Sequence, residues 1–166
     1  MKINRLLLLE GKEETYEEDI DFSSYPFNPT HVRNIPFCHC QIKAVDYGDI
    51  LRVIFHIKAQ VIAACSYTLE DVPLEINIDD ELSFSDQEGD EELIYEPNNI
   101  IDLDPHILSL IFAKIPIKVV KPGAKLPEDG QGYSIISEDE YYEKQSQKKN
   151  SAWDILDSIP IEEENK

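Results

Sequence analysis

Residues 50–65 read ILRVIFHIKAQVIAAC, and every second position is apolar: Leu51, Val53, Phe55, Ile57, Ala59, Val61, Ala63 and Cys65. The other parity carries Arg52, His56, Lys58 and Gln60. A period of two sends alternate side chains to opposite faces of a strand, so the segment predicts a long strand with one dry and one wet face. A helix would scatter the same apolar groups around its circumference, and the β-branched content disfavours one further.

The pattern repeats on both sides. In residues 37–45, Cys38, Cys40, Ile42 and Ala44 alternate with His39, Gln41 and Lys43, and Asp46-Tyr47-Gly48-Asp49 supplies a hairpin turn with Gly48 free to take positive φ. After a connection over 66–71, Val72, Leu74, Ile76, Ile78, Leu82 and Phe84 alternate with Glu75, Asn77, Asp79, Glu81 and Ser83; Asp80 interrupts the apolar set. Three such strands with short links pair most simply as an antiparallel meander that is wet on one side. Upstream, residues 15–22 alternate with one wholly acidic face and Glu18 on the other, which predicts an edge strand. Residues 1–11, with four consecutive leucines, fit a short strand or a helical turn equally well. The three prolines of 23–36 predict an ordered loop.

Downstream the period changes. Residues 85–92 hold five acids and a glycine and predict a solvated loop. Ile100, Ile101 and Leu103 suggest a short strand, then Asp104 and Pro105 offer an N-cap and a first-turn proline for a helix running to about Lys114. Ile107, Leu108, Leu110, Ile111 and Phe112 make that helix apolar around most of its circumference, which predicts burial against the dry face. Pro116 should end it, with 117–120 returning as a strand. His106, in the first turn, is expected at the surface. Residues 121–132, with two prolines and three glycines, predict a linker. Ser137-Glu138-Asp139-Glu140 has the form of a capping box and should open a polar helix running to about Lys149. In residues 151–159, Ala152, Ile155, Leu156 and Ile159 stand at helical spacing beside Trp153, the only tryptophan. Such an island docks on a partner as an amphipathic helix or folds back on its own sheet. The fold class expected is α+β: an antiparallel β-meander sheet packed by one apolar helix, with a helical C-terminal tail. It divides into a β-rich core domain over 1–121 and a linker and helical acidic tail over 122–166.

The formal net charge is −19 over 166 residues. A polyanion is repelled by phosphate, so long-range attraction to nucleic acid or an anionic membrane is disfavoured and a basic partner is favoured; acidity also serves solubility alone. No apolar run approaches the ~20 residues of a membrane span, and the leucines at 6–9 lack a cleavage site like that of a signal peptide. Three cysteines without paired spacing suit a reducing cytoplasm. Cys38 and Cys40 share a strand face that excludes His39, so these three cannot converge on one ion without breaking the strand, and buried apolar cysteine is the favoured reading. For Cys65 as a nucleophile, His56 has the wrong parity, leaving only His39 or His31 to approach. The acidic runs lack the glycine-punctuated spacing of an EF-hand, and neither a phosphate-cradling loop nor a nucleophile elbow is present. No cofactor and no metal are expected.

The order of elements resembles the YceD family. The resemblance rests on a long strand ending in Cys65-Ser66-Tyr67-Thr68-Leu69, an acidic strand, Ile101-Asp102-Leu103, and an apolar helix leading into Ile115-Pro116-Ile117-Lys118-Val119. It spans roughly Ile35 to Val120, and the island at 151–159 sits where relatives end in a short helix. The resemblance implies a non-enzymatic factor in large ribosomal subunit biogenesis that supports accumulation of large-subunit rRNA. Some relatives carry further cysteines near the position of Cys65 and after the apolar helix. Here Thr68 stands in place of a second Cys, and nothing from Lys118 to Tyr133 is Cys or His, so a four-ligand zinc site cannot be assembled from matching positions.

Two function classes follow. In one, acidic faces hold a basic ribosomal protein or a pre-large-subunit particle. Direct RNA contact would require Arg33, Lys43, Arg52 and Lys58 to override the global charge. Of these, Lys43, Arg52 and Lys58 share the wet parity with His39 and His56 and could form a basic stripe, or could balance Glu75 and Glu81 opposite. In the other, the protein is an acidic decoy or inhibitor of a nucleic-acid-binding protein. The candidate contacts are Arg52, Lys58 and Lys43 on the sheet and Trp153, Ile155 and Leu156 in the tail.

Overall fold

The period-two segments become strands of great length because each has a complete apolar face to bury. In chain order the strands are β1 (Lys2–Asn4), β2 (Glu13–Asp19), β3 (Val32–Asp46), β4 (Ile50–Ala64), β5 (Asp71–Ser85), β6 (Ile94–Tyr95) and β7 (Ile100–Asp102); the helices are α1 (Asp104–Lys114) and α2 (Glu138–Gln147). This computed structural model describes residues 1–89 and 92–147. The chain divides into two compact units, Met1–Ala124 and Lys125–Lys166.

In the first unit, five strands form one sheet in the order β2-β3-β4-β5-β6. The meander is antiparallel with one unbroken register from Ile50 opposite Ser85 to Ala64 opposite Asp71; only the two-residue β6 runs parallel to its neighbour. At the β3–β4 turn, Gly48 has φ +90°, the left-handed conformation that a residue without Cβ adopts most cheaply. The acidic segment β2 lies at the sheet edge, as its one-sided pattern predicts.

The dry face is the core. Phe55, Val53, Ile42, Leu51 and Phe84 are fully enclosed with Ile107 and Ile111 of α1. The cover is not the helix alone. A second, two-stranded sheet pairs β1 with β7 and brings Ile3 and Ile101 onto the same core, and Leu8 and Phe22 complete it. Residues 1–11 thus use both forms open to them, a short strand followed by a 3₁₀ turn over Arg5–Leu7. Arg5, from that turn, is buried beside Asp46 at 3.3 Å and donates to the Gly48 carbonyl at 2.5 Å, tying the N-terminal segment to the central hairpin.

Several local expectations are corrected. The chain enters β3 at Val32, inside the segment expected to be a loop, because register shifts between Val32 and Phe37 let Pro36 sit in a strand without breaking the ladder. Residues 117–120 do not form a strand: Ile117 is fully exposed, and Val119 is held by Ser66 instead. Leu103, not Asp104, occupies the N-cap position of α1, and Asp104 sits in the first turn, where it takes the N-terminal ammonium. The helix buries only Ile107, Leu108 and Ile111; Phe112 stays partly exposed. His106 is half-buried, its ring edge-on to Phe84 at 5.0 Å, and burial pulls its pKa below the usual histidine value.

In the second unit, α2 opens on the capping box read from the sequence. The Glu140 amide donates to Ser137 Oγ at 3.1 Å, and the Ser137 amide donates to Glu140 Oε2 at 3.3 Å. The island at 151–159, with Trp153, Ile155 and Leu156, lies outside the described residues.

Candidate functional site

Among the described residues of the first unit, one face of the sheet has no covering element, and the long side chains of β2 to β5 stand on it in cross-strand rows. One row runs Glu13, Val45, Arg52, Ser83; the next Thr15, Lys43, Ile54, Glu81; then Glu17, Gln41, His56, Asp79; then Asp19, His39, Lys58, Asn77. Acids occupy the two outer columns and bases the two inner ones. Register therefore brings Lys43, Arg52, Lys58, His39 and His56 onto one surface, as the alternation requires.

It also sets an acid beside four of the five. Arg52 Nε reaches Glu81 at 2.5 Å, and that contact is the first cause of its raised pKa. Lys43 Nζ lies 3.5 Å from Glu13, His56 Nδ1 2.6 Å from Asp79, and His39 contacts Asp19 at 2.7 Å and Glu17 at 3.3 Å. Arg33, the remaining candidate cation, is turned to Asp71 at 2.8 Å and to the Leu69 carbonyl. Among the described residues, Lys58 alone of this set has no carboxylate within 4 Å; it borders a shallow hollow of about 190 Å³ with Phe37, Gln60 and Glu75. Exposed pairs of this kind are screened by solvent and add little stability. Their functional consequence is larger, because a stripe expected to face phosphate is already balanced by its neighbours.

At one end of the sheet, the turn after β4 holds Cys65. Its side chain is inaccessible, the Leu69 amide donates to its carbonyl at 2.9 Å, and Leu69 takes the left-handed conformation at φ 59°. The Lys121 amide points at Cys65 Sγ from 3.4 Å. That donor first, and the Thr68 hydroxyl next, bring the thiol down to about 7 against the opposing effect of burial. The Thr68 hydroxyl donates to Glu70 Oε2 at 3.2 Å. The linkage has a definite sign: the contribution of this group is full above its ordinary thiol value and is lost as pH falls through about 7. Cys38 and Cys40 are buried as read from the sequence, and burial pushes both up to about 12. Iodoacetamide at pH 8 should leave Cys38 and Cys40 unmodified in the native protein and should modify Cys65 first once mild denaturant opens its turn. Peptide mapping by mass spectrometry reads the order, and early labelling of Cys40 would contradict it.

Among the described residues, no three His, Cys, Asp or Glu side chains gather as ligands of an ion would. Two hollows flank Phe112, of about 530 and 480 Å³, the second bordered by Asp21, Asp102 and Asp104 over Phe22, Tyr25 and Leu108.

The sequence model of YceD, described as large ribosomal RNA subunit accumulation protein, matches residues 53–159. The chain belongs to that family. The YceD match begins within β4, covers β5, α1 and the Cys65 turn, and continues through α2 into the tail. The family's description ties it to accumulation of large-subunit ribosomal RNA. Searches of curated proteins and of solved structures give no match. No helix among the described residues is long and apolar enough to cross a membrane.

Proposed function

We propose that this YceD-family protein supports accumulation of large-subunit rRNA without catalysis, by holding a basic protein component of large-subunit precursors. The observation that carries the reading is the pairing of the inner basic columns, Lys43 to Glu13 and Arg52 to Glu81, in a chain of net charge −19. Phosphate gains little from cations already matched to carboxylates, whereas a cationic protein surface meets an excess of acid. In this reading rRNA is protected indirectly, through the protein that covers it. The cytoplasm is the setting that suits three free thiols. Trp153, Ile155 and Leu156 in the tail are its candidate contacts, whereas Lys58, Lys43 and Arg52 on the sheet would serve only the alternative of direct RNA contact.

The test is co-sedimentation of tagged protein, cross-linked before lysis, on gradients at low and moderate salt. Enrichment with large-subunit precursors that weakens as salt rises is expected. Retention of the tagged protein at the top of the gradient under both conditions would overturn the reading and favour an acidic decoy that acts on a free nucleic-acid-binding protein. Binding that disappears on ribonuclease treatment of purified precursors would point to direct RNA contact instead. A Trp153→Ala variant that no longer sediments would place the contact in the tail.

A further inference from the structure

Among the described residues, the outer edge of β5 is unpaired over most of its length. On its inner side β5 pairs with β4 at every position from Asp71 to Ser85. On its outer side only Phe84 and Ser85 are paired, by β6. The direction of each backbone group follows from the central hairpin: Tyr47 N–H donates to the Ile50 carbonyl at 2.9 Å, so even-numbered residues of β4 bond towards β3 and odd-numbered ones towards β5. Even-numbered residues of β5 then bond back to β4, and odd-numbered ones turn their amides and carbonyls outward. Three odd positions agree. Pro73 has no N–H to give; the Ser85 carbonyl accepts from the Glu96 amide at 2.8 Å; the Glu81 amide donates to the Asp80 carboxylate at 2.8 Å. Between them, the outward amides of Glu75, Asn77, Asp79 and Ser83 meet no backbone acceptor among the described residues.

We propose that this edge receives an extended segment of the partner as an added strand, one that alternates basic and apolar side chains. On the open face, an added strand would meet Glu75, Asp79 and Glu81; on the core side it would meet Leu74, Ile76, Ile78 and Leu82, of which Leu74 and Leu82 are only partly buried. Asp80 breaks the apolar parity and is exposed, so the position facing it takes a cation as well. The backbone ladder supplies affinity, and alternate side chains supply selectivity. The same acids repel a second copy of this strand, so the edge is protected against self-association and open to a basic strand. The edge of β2 does not offer this: its core-side positions include Glu14 and Glu18, where an added strand would need apolar neighbours. The proposal rests on the reading of the partner as basic and adds where, and in what conformation, it is held.

The probe is a short synthetic peptide of alternating lysine and valine, compared with a block peptide of identical composition, titrated into the full chain by fluorescence anisotropy with amide exchange followed by NMR. The alternating peptide should bind roughly tenfold more tightly and should slow exchange at Asn77 and Asp79. Asn77→Pro removes one outward donor and leaves the β4 ladder intact, as Pro73 already does in the same strand. It should weaken the alternating peptide roughly fivefold, the effect of one hydrogen bond. Glu75→Lys, which deletes no backbone donor, should weaken it as well and serves if the proline variant fails to fold. Equal binding of both peptides, or protection confined to residues away from β5, would overturn the proposal. If the edge fails while the parent protein still sediments with precursors, only the docking place falls. If β5 is protected but the protein never sediments, the edge stands and the functional reading falls.

Discussion

Asp46→Ala should lower the stability of the first unit by about 3 kcal/mol, the low end of the cost of removing one partner from a buried ion pair. Arg5 and Asp46 keep only 9% and 13% of their side-chain exposure, so loss of the carboxylate strands a guanidinium with the Gly48 carbonyl as its remaining short contact. The same carboxylate accepts the Gly48 amide at 3.1 Å, which shapes the turn between β3 and β4. Urea unfolding should show a lower midpoint at unchanged slope. Replacing both partners together, Arg5→Met with Asp46→Leu, should cost far less than Asp46→Ala, because an apolar pair has no stranded charge. A loss below about 1 kcal/mol for Asp46→Ala would mean that water reaches the pair and that the N-terminal segment is not anchored there.

Phe55→Ala should cost about 4 kcal/mol, near the top of the range for large-to-small changes in a core. Phe55 is fully buried midway along β4, with Ile42 as its register neighbour on one side. Its other neighbour is the exposed Asp80, which cannot swing inward to fill the space without burying a charge. The cavity therefore stays. Ile54→Ala, one residue away on the open face, should change stability by under about 1 kcal/mol. The contrast between the two, read from thermal unfolding, tests the assignment of faces directly: similar losses would mean that the open face is covered.

The alternation of residues 50–65 was legible because one parity is entirely apolar and a strand is the only regular structure that separates it cleanly. Residues 32–36 were not legible as strand, because Pro36 carries the signature of a loop and only the bulges beside it make its missing N–H harmless. The pairing of β1 with β7 left no periodic signal, since three-residue strands joined across most of the unit are too short to show one. For the site, the basic side chains and their common face could be read, but their neutralisation depends on which acid stands opposite, and that is a property of register. Arg5 carries no local signal of its burial for the same reason: its partner lies 41 residues away. His106, expected at the surface, is covered because Phe84 arrives from another strand. The Cys65 turn was singled out by its residues, whereas the amide that faces the sulfur comes from Lys121, at the end of a stretch with no regular structure.

The β1–β7 pairing, Lys2 with Asp102 and Asn4 with Ile100, also sets a timetable. At a synthesis rate of roughly 5–20 residues per second, about 5–20 s separate the emergence of the two strands from the ribosome. Through that interval the meander can zip, since its strands are consecutive, while Ile3 has no strand to pair with. Residues made early are thus among the last to be seated, and Ile3 stays apolar and unpaired until α1 is about to appear.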